Sequence, residues 1–299
     1  MKPKARSALA FAILSIGVVL ACLEQPEAVL QPSDEIAEAA APAILLAVGD
    51  IAGCPARYVD EATAELVADL PGTIAVLGDV VYEDGMRWEF RKCYDPSWGR
   101  VLARTRPSPG NHEYRQAGAG PYYEYFGSRA GPQGKGYYTY KLGAWRIYSL
   151  NSERNIAEQT TWLKSHLAAN KSKCILAYWH KPRYTSGEHP GETTVRPLFD
   201  ALYRAGAEVV LSGHNHNYER FAPQDADGNF QSLGTRQFVV GTGGARLEDF
   251  VEIQPNSKLR YVAGWGVLRM TLSPGKYSWN FLPVPGSPPG DTGSANCTR

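Results

Sequence analysis

The sequence carries no charge excess: 31 lysines and arginines stand against 30 aspartates and glutamates in 299 residues, a formal net charge of +1. Nucleic-acid binding through a basic, phosphate-tracking surface is therefore not expected. No segment repeats and no composition shift marks a second domain boundary, so a chain with 43% hydrophobic residues reads as one large domain with an ample core. The apolar run Ala8 to Leu20 is too short to span a bilayer comfortably. Histidine is scarce. The six are His112, His166, His180, His189, His214 and His216, and five of them fall in one proposed site.

The N-terminus reads as a targeting segment. Lys2, Lys4 and Arg6 precede the apolar run, which ends Val19-Leu20-Ala21-Cys22. That ending resembles the processing box of bacterial lipoproteins, with residues 1–21 removed and Cys22 lipidated. The alternative is an ordinary cleaved signal peptide and a periplasmic or secreted product. Either way the protein is expected to be exported, with the membrane touched only through a lipid anchor. Residues 22–42, rich in Ala, Glu and Pro, read as a tether. Export makes Cys54, Cys93, Cys174 and Cys297 candidates for disulfides. Of the three possible pairings we favour Cys54 with Cys93, both on loops after proposed site strands, and Cys174 with Cys297, which pins the tail.

Continuous apolar runs predict buried strands at Ile44–Val48, Thr73–Leu77, Cys174–Trp179, Ala207–Leu211 and Gln237–Val240. Helical spacing predicts helices over Tyr58–Leu70, Met86–Tyr94, Ala157–Ala168 (with His166 on a solvated face) and Val195–Ala205. Hairpins are expected over Tyr137–Leu150 and over Val267–Leu282, the second turning at Pro274-Gly275. The domain is expected to cover residues 43–285, leaving 286–299 as a Gly/Pro/Ser tail. Strands of buried type alternating with helices argue for an α/β sandwich.

A second pattern runs through these strands: an apolar run, a break, then a metal-binding residue type. It yields Gly49-Asp50, Gly78-Asp79-Val80-Val81-Tyr82, Trp179-His180 and Gly213-His214-Asn215-His216, and a shorter extended segment leads into Gly110-Asn111-His112-Glu113. Residues at strand carboxyl ends converge on one edge of a sheet. His214 and His216, taken as extended, would point the same way because side chains alternate along a strand. Each motif alone is a plain turn; the set is not.

Together these motifs resemble the calcineurin-like metallophosphoesterases over roughly Ile44 to Phe281, and within them the purple acid phosphatase branch. Most of the wider family has a histidine two residues after the first Asp, where this chain has Ala52. The purple enzymes lack it and use the tyrosine of Gly-Asp-x-x-Tyr, present as Tyr82. The resemblance implies two mixed β-sheets flanked by helices, with a dinuclear metal site at the strand C-terminal ends. It implies Asp50, Tyr82 and His216 on one ion, Asn111, His180 and His214 on the other, and Asp79 bridging. A phenolate favours Fe(III), and the mixed N/O set suits divalent Fe, Zn or Mn. The implied reaction is attack of metal-bound hydroxide on a small phosphate monoester, with His112 as an outer-sphere phosphate binder or proton donor and His189 contacting substrate. Glu113 is read as a partner orienting His112. Arg183 and Tyr184 share the His189 loop as weaker candidates, and Trp88, Trp98, Tyr122 and Tyr123 read as loop packing. Plant members carry an added N-terminal β domain where this chain has the tether. A phosphodiesterase or nucleotidase on the same fold, and a non-catalytic surface lipoprotein, are the competing functions. Oligomeric state is left open.

Overall fold

Strands whose every residue is apolar must be covered on both faces, and the computed structural model, which describes residues 41–55 and 58–298, shows how. In the Ala43–Val48 strand, Leu45 and Ala47 face one apolar layer while Leu46 and Val48 face another. The first layer is filled from the far side by Leu176, Tyr178, Val209, Leu211 and Phe238 of a second sheet. The second layer is closed by Ala64 and Val67 of the Asp60–Ala68 helix and by Phe90, Trp98, Tyr122 and Phe126. A third layer packs Ile175, Ala177 and Val210 against Leu163, Leu198 and Leu202 of the Ile156–Ala169 and Arg196–Ala205 helices. Two sheets are thus stacked face to face with helices outside each, the expected sandwich.

Both sheets are mixed. The six-stranded sheet runs Thr292–Asn296, Lys276–Pro283, Gly266–Ser273, Ala43–Val48, Thr73–Leu77, Thr105–Ser108, and its last three strands are parallel. The seven-stranded sheet runs Ser257–Tyr261, Tyr218–Phe221, Arg236–Val240, Val209–Ser212, Cys174–Tyr178, Trp145–Ser149, Tyr138–Leu142, and its four central strands are parallel. Parallel strands end together, so the loops after residues 48, 77, 108, 178 and 212 emerge at one end of the sandwich.

The favoured disulfides are both present, Cys54–Cys93 and Cys174–Cys297. Several expectations need correction. Residues 286–299 do not form only a tail: Thr292–Asn296 adds an edge strand to Lys276–Pro283. Asp291, just before it, is buried and accepts from Tyr218 Oη at 2.7 Å, Arg220 Nε at 2.6 Å and Trp279 Nε1 at 2.8 Å. A polar edge strand has no apolar alternation to announce it. His166 is half-buried rather than free in solvent, since its Nδ1 meets Tyr148 Oη at 2.9 Å and its ring packs on Trp162. Trp98, Tyr122 and Tyr123 do pack the outer layer, whereas Trp88 is exposed. The segment between Tyr82 and Pro109 carries short helices that clamp the Asp60–Ala68 helix: Ser97 Oγ donates to Asp60 at 2.6 Å, and the Arg104 guanidinium caps the carbonyls of Val67 and Leu70. Residues 1–21, Cys22 and the tether as far as residue 40 lie outside the described residues.

Candidate metal centre

The common end of the parallel strands gathers the predicted residues. Asp50 and Asp79 each follow a glycine at a strand terminus and take left-handed backbone, φ 62° and 46°, as does His214 at 72°. Such conformations cost a non-glycine residue roughly 1–3 kcal/mol and persist where the surroundings impose them. Here bonds between neighbouring strands and across the two sheets hold them: Gly49 N–H donates to Val240 O at 2.9 Å, Asp50 N–H to Gly78 O at 3.1 Å, and His214 N–H to Asp50 Oδ2 at 2.8 Å. Gly213 is required by contact, because a Cβ there would stand 2.5 Å from Asp50 Oδ2. Contrary to the strand pattern, the pair His214 and His216 is not extended. Successive turns, Asn215 N–H to Gly213 O and Asn217 N–H to Asn215 O, coil the loop, so the two imidazoles serve different clusters.

In the first cluster the Tyr82 hydroxyl lies 3.0 Å from Asp50 Oδ1, 3.1 Å from His216 Nε2 and 3.4 Å from Asp79 Oδ2. In the second, His180 Nε2 lies 3.0 Å from Asn111 Oδ1, 3.2 Å from His214 Nδ1 and 3.2 Å from Asp79 Oδ2. Asp79 Oδ2 therefore belongs to both. Its other oxygen is occupied by the His112 N–H at 2.9 Å. The outward nitrogens are spoken for as well: His180 Nδ1 meets Leu77 O at 2.8 Å and His216 Nδ1 meets Arg246 O at 2.9 Å. A carbonyl only accepts, so these nitrogens carry protons, and in the neutral imidazole a metal requires each Nε2 has its lone pair facing inward. This arrangement orients imidazoles for a metal. Asp79, His180 and His214 offer ligand atoms within 4.8 Å of one another.

The electrostatics fit a cation. Burial, then the charges of Asp50 and Asp79, push the Tyr82 phenol well above its ordinary range, so only a strong positive charge would make it a phenolate. Burial, then the neighbouring His180, lowers His214 to about 2. Burial opposes protonation of His180, but the adjacent Asp79 outweighs it and raises that imidazole to about 10. The carboxylates thus draw positive charge into the buried end of the site. Lone pairs from carboxylate, amide and imidazole on one side, and a phenol facing three acceptors on the other, suit two metal ions.

Five of the six histidines meet here. A cleft of about 380 Å³ is lined by Tyr58, Asp79, Tyr82, Asn111, His112, Arg115, His189, His214, His216, Arg246 and Glu248, among others, with His180 buried beneath. His112 Nε2 is 3.7 Å from Asp79 Oδ2. Its ring is oriented by the Glu83 carbonyl at Nδ1 and by Arg115 Nη2, 3.4 Å from Nε2, not by Glu113 as expected. Glu113 is fully buried and accepts backbone N–H groups from Asp79 (3.0 Å), Val80 (2.9 Å), Val81 (3.3 Å) and Gly110 (2.8 Å). It ties the Asp79 loop to the Asn111 loop. Arg183 and Tyr184 do not reach the cleft: Tyr184 Oη donates to Asp225 O at 3.1 Å and Arg183 stacks on its ring. No sequence pattern marks Arg115, Arg246 or Glu248. Asn215 has a signal only in standing between two candidate ligands.

A doubly flanked pair of mixed sheets, with a carboxylate shared between two ligand clusters at the strand ends, defines the calcineurin-type sandwich. The chain belongs to the calcineurin-like phosphoesterase family, whose model matches residues 25–218. Its relatives include purple acid phosphatase 15 of Arabidopsis thaliana, 26% identical over 251 residues, covering 71% of this chain and 47% of that one. The chain spans less than half the length of the first curated relatives it matches. Among solved structures, purple acid phosphatase PPD1 from yellow lupin seeds matches with a TM-score of 0.71 at 17% identity, over 86% of this chain and 54% of that one. GAP50, the anchor in the inner membrane complex of Plasmodium, matches with 0.68 at 15% identity, over 87% and 90%. At such identities these two likenesses establish the fold.

Proposed function

We propose that the protein is an exported, dinuclear metal-dependent phosphatase that hydrolyses small phosphate monoesters. The observation that carries this reading is Asp79 Oδ2 standing 3.4 Å from the Tyr82 hydroxyl and 3.2 Å from His180 Nε2, one carboxylate oxygen serving two ligand sets. In this reading Asp50, Tyr82, His216 and Asp79 hold one ion, and Asp79, Asn111, His180 and His214 hold the other. The phenolate favours Fe(III) in the first position; the N/O set of the second suits Fe(II), Zn or Mn. When bound, such a pair supplies charge against the phosphoryl oxygens and acidifies coordinated water. The chain's own groups position the ester: His112, locked at the cleft wall, binds a phosphoryl oxygen or hands a proton to the leaving alkoxide, and His189 meets the ester from the facing loop.

Purified protein is expected to contain two metal ions and a visible absorption band from tyrosinate bound to iron. Tyr82→Phe is expected to bleach it while the far-UV spectrum stays unchanged; a colourless wild type with two divalent ions would take it out of the purple branch. Activity on a nitrophenyl monoester over the bis-ester separates the monoesterase from a diesterase. Inactivity towards both, with both metals bound, would leave a fold kept for binding, as the anchor role named for GAP50 illustrates in that protein. Export is supported by the two disulfides, which suit an oxidising compartment. Cys22→Ser is expected to move the protein from the membrane fraction to the soluble fraction; unchanged partitioning would exclude the lipid anchor.

A further inference from the structure

The residue between the two histidines of Gly213-His214-Asn215-His216 belongs to neither ligand cluster. Asn215 is fully buried, and its carboxamide binds a single residue of another segment at both ends. Its Oδ1 accepts the N–H of His189 at 2.9 Å, and its Nδ2 donates to the carbonyl of His189 at 3.0 Å. We propose that Asn215 is a positioning residue for substrate binding: it fixes the backbone of His189 so that this imidazole stands over the metal cleft. The inference rests on the phosphatase reading for what His189 touches, but not for how His189 is held.

His189 needs such a device. Its side chain is 48% exposed, and its nearest acidic partner, Glu248, is 3.8 Å away. It lies in a loop with glycines at 187 and 191, which lose much conformational freedom on ordering. Yet its ring lies against His214, centroids 4.7 Å apart and tilted by 34°, and it lines the same cleft as His112 and His216. Only a primary amide supplies one donor and one acceptor to a peptide unit in this way. Alanine or valine offers neither, aspartate offers no donor, and glutamine is one methylene too long.

The surrounding loop is built to that amide. Gly187 lies directly on it, since a Cβ at 187 would come within 2.2 Å of Asn215 Oδ1. Three residues before His189, Ser186 is anchored to the same stretch of chain: the buried Glu219 accepts its N–H at 2.7 Å and its Oγ–H at 2.5 Å. The segment from 213 to 219 therefore carries two metal-cluster histidines and also grips the His189 loop at two points. Substrate loop and metal clusters share one rigid support, which keeps His189 in register with the clusters.

The test uses the metal-loaded protein with p-nitrophenyl phosphate as substrate and inorganic phosphate as inhibitor. Asn215→Ala and His189→Ala are each expected to raise KM and weaken phosphate inhibition about tenfold, with kcat changed by less than about threefold and metal content unchanged. The double variant is expected to be no worse than either single one, because Asn215 acts through His189. Effects that multiply in the double variant, or loss of metal from Asn215→Ala, would overturn the assignment. Hydrogen exchange over residues 186–190 gives a readout independent of catalysis: the His189 amide is expected to be protected in the wild type and to exchange freely in Asn215→Ala. Retained protection would also overturn the proposal. Gly187→Ala, which displaces the amide without removing it, is expected to show the same KM and exchange signature and serves if Asn215→Ala does not fold. A wild type that hydrolyses no phosphate ester defeats the phosphatase reading, while the exchange experiment still judges Asn215.

Discussion

Asp79→Asn is expected to lower kcat on a nitrophenyl monoester by on the order of a thousandfold, the scale of losing one preorganised charge-stabilising group. The protein is also expected to purify with fewer than two metal ions. The substitution is nearly isosteric, so the effect has to come from hydrogen placement and charge. Asp79 Oδ1 accepts the His112 N–H at 2.9 Å and Oδ2 faces both clusters. If the new amide nitrogen takes the first place, two donors oppose each other. If it takes the second, its hydrogens point at the lone pairs of His180 and at the Tyr82 oxygen. The first rotamer keeps an oxygen at the shared position but sets two donors against each other and carries no negative charge for either ion; the second leaves no oxygen there at all. Metal analysis beside kinetics checks this, and an Asp79→Asn variant with two ions and ordinary activity would remove the shared carboxylate from the account.

Glu113→Ala is expected to destabilise the fold by about 4 kcal/mol in urea unfolding and to cost metal binding as well. The four backbone N–H groups that Glu113 accepts lie in two loops and would lose this acceptor together. Leaving a buried donor unpaired costs about 1–3 kcal/mol, and such costs within one network are not simply additive. Those loops carry Asp79 and Asn111, so their loosening reaches both clusters. Glu113→Gln keeps the shape and one acceptor and is expected to be intermediate. A Glu113→Ala protein within about 1 kcal/mol of wild type would show that the loops hold themselves.

Much of the site is legible in the sequence because two constraints act on neighbouring residues at once. A strand buried on both faces has to be apolar throughout, as in Leu45 to Val48 or Val209 to Leu211, and it shows as an uninterrupted run. The break that follows carries the chemistry, so Asp50, Asp79, Asn111, His180 and His214 stand out by position. Hydrogen-bond partners are less legible because their signal is not local. Glu113 sits beside His112 in the chain yet bonds residues more than thirty positions away, and one of the two groups orienting His112 is the Glu83 carbonyl, which no side-chain pattern reveals. The edge strand at Thr292–Asn296 escapes a sequence reading for a related reason. Its stability comes from one neighbour's backbone and from Asp291 reaching Tyr218, Arg220 and Trp279, while its own residues are small and polar.

The sequence by itself determined the apolar strands, the ligand residue types that follow them and the cysteines available to pair, since burial and coordination chemistry restrict residue identity position by position. The tertiary structure alone decided which oxygen of Asp79 is shared, which nitrogen of each imidazole faces inward, and that His214 and His216 stand on a coiled rather than an extended loop. Those are matters of direction. They depend on left-handed turns and hydrogen bonds between segments far apart in the chain, and only the closed sandwich brings those segments within hydrogen-bonding reach of one another.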